Sequence, residues 1–177
     1  MIMRQGQQQL LLPANPFFIW GSLLASMVLA MVLNMGWTGR AAWVPDLLAL
    51  ALVFWTVHQP QRVGIGAAFV FGLLMDVHQG GLLGQSALAY SVLSFLAITI
   101  HRRLLWFPVG AQALQVLPLF TAAHLIELCL RLIGGAAFPG AWLLLAPILE
   151  ALLWPVASTI LLAPQRRPPD PDENRPL

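Results

Sequence analysis

Five ionisable side chains stand within or at the edges of long apolar runs: Asp46, Asp76, His124, Glu127 and Glu150. Carboxyl and imidazole groups can exchange protons, hold cations or pair with guanidinium groups. In apolar surroundings each is expensive, so each needs a partner or a task. His124, Glu127 and Arg131 lie at i, i+3 and i+7, which puts them on one face of a helix. Glu127 and Arg131, four residues apart in that order, have the spacing of an ion pair. The pair can neutralise itself near a membrane surface; the same face can also serve a proton or ion pathway, or a contact with another protein. Glu150 has no charged neighbour in sequence. It is expected to face the interior of a bundle, to pair across helices with Arg131 as a candidate partner, or to hold a proton.

Asp46 follows Pro45 where an apolar run begins. Proline in a first helical turn with an acid beside it is an ordinary helix start, because the acid faces the positive end of the helix dipole. A polar contact between helices is the other reading. Asp76 ends a stripe: Gly64, Ala68, Gly72 and Asp76 recur at every fourth residue and share one slowly drifting helical face. Small residues at that spacing let a second helix approach closely, and contact drives association in lipid. A glycine-rich turn follows, Gly80-Gly81-Leu82-Leu83-Gly84, where the chain can reverse tightly. Asp76 is then either the solvated end of a packing seam or the anchor of a neighbouring helix or partner.

None of the residue patterns that support catalysis is present. No serine occupies a nucleophile elbow, and there is no His-Glu-x-x-His, no cysteine pair and no Walker-type phosphate loop. Asp76 and His78 are two apart, so a helix points them in different directions. His58, His78 and His101 stand at the ends of apolar runs without a ligand cluster and read as interface residues, not metal sites. Cys129 is the single cysteine, so no disulfide framework can form. No enzymatic activity, cofactor or metal is expected.

The composition says what must hold these residues. The 177-residue chain is 59% hydrophobic and 9% charged, with a mean hydropathy of +0.78. A water-soluble domain carries roughly 25% charged residues; the expected solvent here is a lipid bilayer. All nine basic residues are arginine, scattered singly or in pairs, and the net charge of +2 gives no reason to expect nucleic acid. Arg4 and a glutamine-rich stretch precede the first apolar run without a small-residue cleavage pattern, so no cleaved signal is expected. Polar breaks separate six apolar runs, at about 17–36, 43–57, 63–78, 82–100, 106–133 and 141–162. These predict an all-α polytopic membrane protein, a bundle of six transmembrane helices over residues 17–163. Residues 1–16 form a cytoplasmic N-terminal segment, and the proline- and charge-rich 164–177 a disordered cytoplasmic tail. A span needs about 20 apolar residues. The second and third runs are short; they either cross with help from flanking residues or form a re-entrant hairpin around His58-Gln59-Pro60-Gln61-Arg62. Pro118 gives the long fifth run a cause to bend. With both termini in the cytoplasm, seven arginines lie inside and two, Arg40 and Arg131, outside, a clear positive-inside bias. Trp20, Trp37, Trp43, Trp55, Trp106 and Trp142 fall near run ends, where indoles favour the interface.

Several of these stretches resemble the MreD family of rod shape-determining proteins, over about residues 15–162. The most specific part is Pro45-Asp46-Leu47-Leu48 opening an apolar helix that ends at Trp55, then Pro60-Gln61-Arg62-Val63-Gly64. Gly72-Leu73-Leu74-Met75-Asp76 followed by Gly81-Leu82-Leu83-Gly84-Gln85-Ser86-Ala87-Leu88 is similar to the family's central signature. Arg102-Arg103 before Phe107-Pro108, and Leu153-Trp154-Pro155, agree as well. A tyrosine often found late in the family's second helix is replaced by Phe54-Trp55. The resemblance implies a non-enzymatic scaffold of the cell-elongation complex in the bacterial inner membrane. It implies MreC as binding partner and, through the complex, MreB, RodA and its transpeptidase. Asp46 and Asp76 match the family's functional positions, with Gly64, Ala68 and Gly72 as the contact stripe. The family is also similar in fold to the six-helix substrate-binding subunits of energy-coupling-factor transporters, so a vitamin-type uptake subunit is the alternative. Such a pocket would want polar and aromatic side chains converging from the outer loops, and these loops are short and poor in them.

Overall fold

Each helix starts and stops where the sequence changes character. A computed structural model describes residues 15–35 and 43–165. Residues 1–14 with Arg4, residues 36–42 with Trp37 and Arg40, and residues 166–177 lie outside the described residues. Among the described residues the helices are α1 Pro16–Met35, α2 Leu47–His58, α3 Ile65–Gln79, α4 Gln85–Leu104, α5 Val109–Ile133 and α6 Leu145–Leu162, the last entered through a 3-10 turn at Ala141–Leu144. Pro16 opens α1 behind Asn15, whose side-chain oxygen accepts the Phe17 N–H at 3.0 Å, a cap with proline in the first turn. Two left-handed glycines, Gly80 (φ 60°) and Gly84 (φ 96°), let α3 stop and α4 start within five residues. Pro118 and Pro155 lie inside uninterrupted α5 and α6.

The helices alternate in direction. Trp55 near the end of α2 donates to Ser22 near the start of α1 (2.8 Å), and Trp154 of α6 donates to Gln112 in the first turn of α5 (3.1 Å). The ends of α3 and α5 and the starts of α2, α4 and α6 therefore gather at one end of the bundle. Asp46 and Asp76 both lie at that end.

Packing makes α2 the axis. Every residue from Leu48 to Val57 is buried, because α1, α4 and α6 pack around the helix. Its 12 residues span only about 18 Å at 1.5 Å per residue, well short of a hydrocarbon core. A helix enclosed by protein has no lipid contact to match. The main partners of α3 are α4 and α1. The axial position also changes the reading of Trp55. Expected at the interface, it is fully buried and meets Phe18 and Phe54 edge-on, with centroids 5.9 and 5.1 Å away.

The outside of the bundle is the reverse of a water-soluble surface. Large apolar side chains such as Val28, Val32, Leu114, Leu152 and Ile160 are exposed. Thr56, Asp76, Ser86, Ser94, Gln112, Glu150 and Ser158 are buried. That inversion is what an apolar solvent demands. Among the described residues three segments are long and apolar enough to cross a membrane: Pro16–Met35, Val109–Ile133 and Ala141–Gln165.

Candidate functional site

Asp76 sits on the last full turn of α3, and its small-residue stripe explains how it reaches its partners. Ala68 and Gly72 are buried. A Cβ on Gly72 would lie 2.4 Å from the Ala87 Cα and 2.6 Å from its backbone nitrogen, so the backbones of α3 and α4 touch there. This closeness brings the Asp76 carboxylate under the first turn of α4. Oδ2 accepts from the Gly84 N–H at 2.8 Å and the Ala87 N–H at 3.3 Å, and Oδ1 from the Ser86 N–H at 2.7 Å. Three otherwise orphaned amides are thus capped from the preceding helix, and the carboxylate meets the positive end of α4. Gly64 is placed differently from the rest of the stripe. It precedes α3 as its N-cap, and the nearest atom to an added Cβ is the Pro60 carbonyl at 3.7 Å.

Asp46 caps its own helix and then does more. Oδ1 accepts the N–H groups of Leu48 and Ala49 at 2.9 and 3.1 Å. The β-region backbone of Asp46 (φ −85°, ψ 98°) is that of an N-cap. Oδ2 accepts the Tyr90 hydroxyl of α4. The Asp46 backbone N–H donates to Glu150 Oε1 of α6 at 2.8 Å, and the same oxygen pairs with His124 Nε2 of α5 at 2.8 Å. One chain of contacts, Tyr90–Asp46–Glu150–His124, thereby ties α4, α2, α6 and α5 together at one level. Glu150 is fully buried, and its second oxygen, Oε2, has no hydrogen-bond partner among the described residues.

The structure brings Asp46, His124 and Glu150 together, with Glu127 electrostatically linked to all three. Arg131, the partner expected for both Glu127 and Glu150, acts on Glu127 electrostatically but is within ion-pair distance of neither; the ion pair recorded among the described residues is His124–Glu150. Along α5, His124 faces α6 while Arg131, two turns on, lines a cleft at the end of the bundle. Tyr90 was not singled out from the sequence. Its signal was available: it is the only tyrosine in the chain, and a phenol within an apolar run must find an acceptor. Thr56 and Ser94, 3.3 Å apart across α2 and α4, were also missed. His58 satisfies itself, with Nδ1 2.9 Å from the Phe54 carbonyl and the ring stacked on Phe54. Among the described residues no three His, Cys, Asp or Glu side chains are grouped to hold a metal ion.

These contacts hold helices in register. Residues 13–164 match the family described as rod shape-determining protein MreD. A curated rod shape-determining protein MreD of Haemophilus influenzae is 30% identical over 142 residues, 77% of this chain and 85% of that protein. No solved structure matches the chain. With the match running from the start of α1 to the end of α6, the chain belongs to the MreD family of rod shape-determining proteins.

Proposed function

We propose that this chain is a non-enzymatic scaffold of the rod-shape machinery, with six spans in the bacterial inner membrane and both termini in the cytoplasm. Its direct partner is MreC, and through the complex it meets MreB and the RodA–transpeptidase pair that builds lateral peptidoglycan. Beyond family membership, one observation carries this reading: Asp46, Asp76 and Glu150 are all engaged in capping or joining helices. Carboxylates so held make a rigid end to the bundle, suited to presenting a fixed surface to another membrane protein. The arginine bias supports the orientation, which places that rigid end on the periplasmic side. The six-helix arrangement is also what a likeness to the substrate-binding subunits of energy-coupling-factor transporters calls for.

Co-purification tests the partner. Asp76→Ala is expected to weaken retention of MreC and to round the cells; normal rods with normal retention would remove Asp76 from the contact. Cysteine labelling tests the topology, with both termini expected on the cytoplasmic side. An externally labelled C-terminus would make six spans untenable. Saturable binding of a vitamin-type ligand by the purified protein would replace the scaffold reading with an uptake subunit.

A further inference from the structure

At the Asp76 end of the bundle a cleft of about 280 Å³ opens between the α3–α4 turn and the end of α5. Three side chains rich in donors line it: Gln79 closing α3, Gln85 opening α4 and Arg131 near the end of α5. The Gln85 residue is 7% exposed, and among the described residues no side-chain hydrogen bond is made by it, by Gln79 or by Arg131. The amides and the guanidinium open onto the cleft, where their N–H groups can be met by oxygen atoms that a ligand supplies. The nearby acids do not supply them. The Asp76 carboxylate is taken up by the three amides of α4, and Glu127, one turn back along α5, acts on Arg131 electrostatically but from beyond ion-pair distance.

The Leu82 side chain lies against Gly134 across the cleft. Leu82 itself is half-exposed, and its sequence neighbour Leu83 and Ile133 beside Gly134 are exposed apolar side chains. A polar, singly cationic cleft beside an apolar rim at the ends of membrane helices has the shape of an amphiphile's head and tail. We infer that this cleft binds the phosphate of an anionic phospholipid headgroup, with Arg131 as its charged contact and Gln79 and Gln85 as amide donors. The guanidinium fork matches two phosphate oxygens, a phosphodiester carries the single charge that one arginine balances, and phospholipid headgroups form the polar layer at the ends of membrane helices in either leaflet.

Native mass spectrometry of the full chain in detergent, titrated with phosphatidylglycerol and phosphatidylethanolamine, tests this. Wild type is expected to retain one phosphatidylglycerol in preference to phosphatidylethanolamine. Arg131→Gln should lower that retention about tenfold, the scale of one charged hydrogen bond. Gln79→Leu, at a half-exposed site, should lower it in the same direction and carries the test if R131Q is unstable. Arg102→Gln with Arg103→Gln, at the opposite end of the bundle, should leave the bound lipid in place. Unchanged retention in both cleft variants, loss of the lipid in the Arg102/Arg103 variant, or no preference over phosphatidylethanolamine would overturn the assignment. Inorganic phosphate displacing the lipid at equal concentration would overturn the headgroup as its source.

Discussion

Asp76 and Asp46 both close the first turn of a helix at the same end of the bundle, but they work over different ranges. Asp76 reaches amides eight, ten and eleven residues ahead. Its geometry is set by one close approach at Gly72 and one glycine turn, and both carboxylate oxygens are occupied. Asp46 caps α2 locally, then enters a chain of contacts whose partners are 44 and 104 residues away. That chain passes through the buried Glu150 carboxylate, one oxygen of which has no hydrogen-bond partner among the described residues. The first is a clasp between neighbours in sequence; the second is a lock that closes only when four helices have met. A clasp fixes a pair of helices, whereas a lock fixes the bundle.

The contrast can be broken most strongly at Glu150. Glu150→Ala leaves His124 and the Asp46 N–H without their shared acceptor, and it should cost about 3–5 kcal/mol, as when one partner of a buried pair is removed. Steric-trapping or thermal unfolding in detergent would read the loss. Glu150→Gln keeps the acceptor oxygen and should recover most of it; an equal loss in both variants would mean that the charge, not the shared acceptor, holds the lock. Asp76→Ala comes next, at about 2–3 kcal/mol for a charged acceptor taken from three amides. Its exchange footprint should stay in the first turn of α4, which hydrogen exchange at Gly84, Ser86 and Ala87 would show. Spread of the exchange to α6 would erase the distinction between clasp and lock. Gly72→Ala must push α3 from α4, at about 1–3 kcal/mol, and should loosen the same amides without touching the aspartate. Tyr90→Phe is the smallest, about 0.6–1.7 kcal/mol for an interhelical hydrogen bond in a membrane protein. An effect no larger than noise there would place Tyr90 outside the lock.

The clasp was largely readable in the sequence and the lock was not, for a physical reason. Four-residue spacing and a glycine turn are local facts, so the stripe from Ala68 to Asp76 declares a close approach before any partner is known. Only Gly64 departs from it, because the helix begins one residue later. The Glu150 partner depends on the level at which α5 meets α6. Charge alone favoured Arg131, yet His124, on the same face two turns earlier, stands at that level. Polar breaks located the six helices to within a few residues, since they record where the chain leaves the apolar layer. Burial of Trp55 was hidden for the opposite reason: in lipid every helix is apolar all round, so hydrophobicity cannot separate an axial helix from a peripheral one.

The buried ten-residue stretch of α2 also constrains how the protein is made. A 12-residue helix falls short of the length at which a segment enters a bilayer on its own, whereas α1, α5 and the segment containing α6 reach it. Its burial therefore depends on the helices around it, and its surroundings are complete only after α6, which begins nearly 90 residues later, has been synthesised. The centre of the molecule is the part that is completed last.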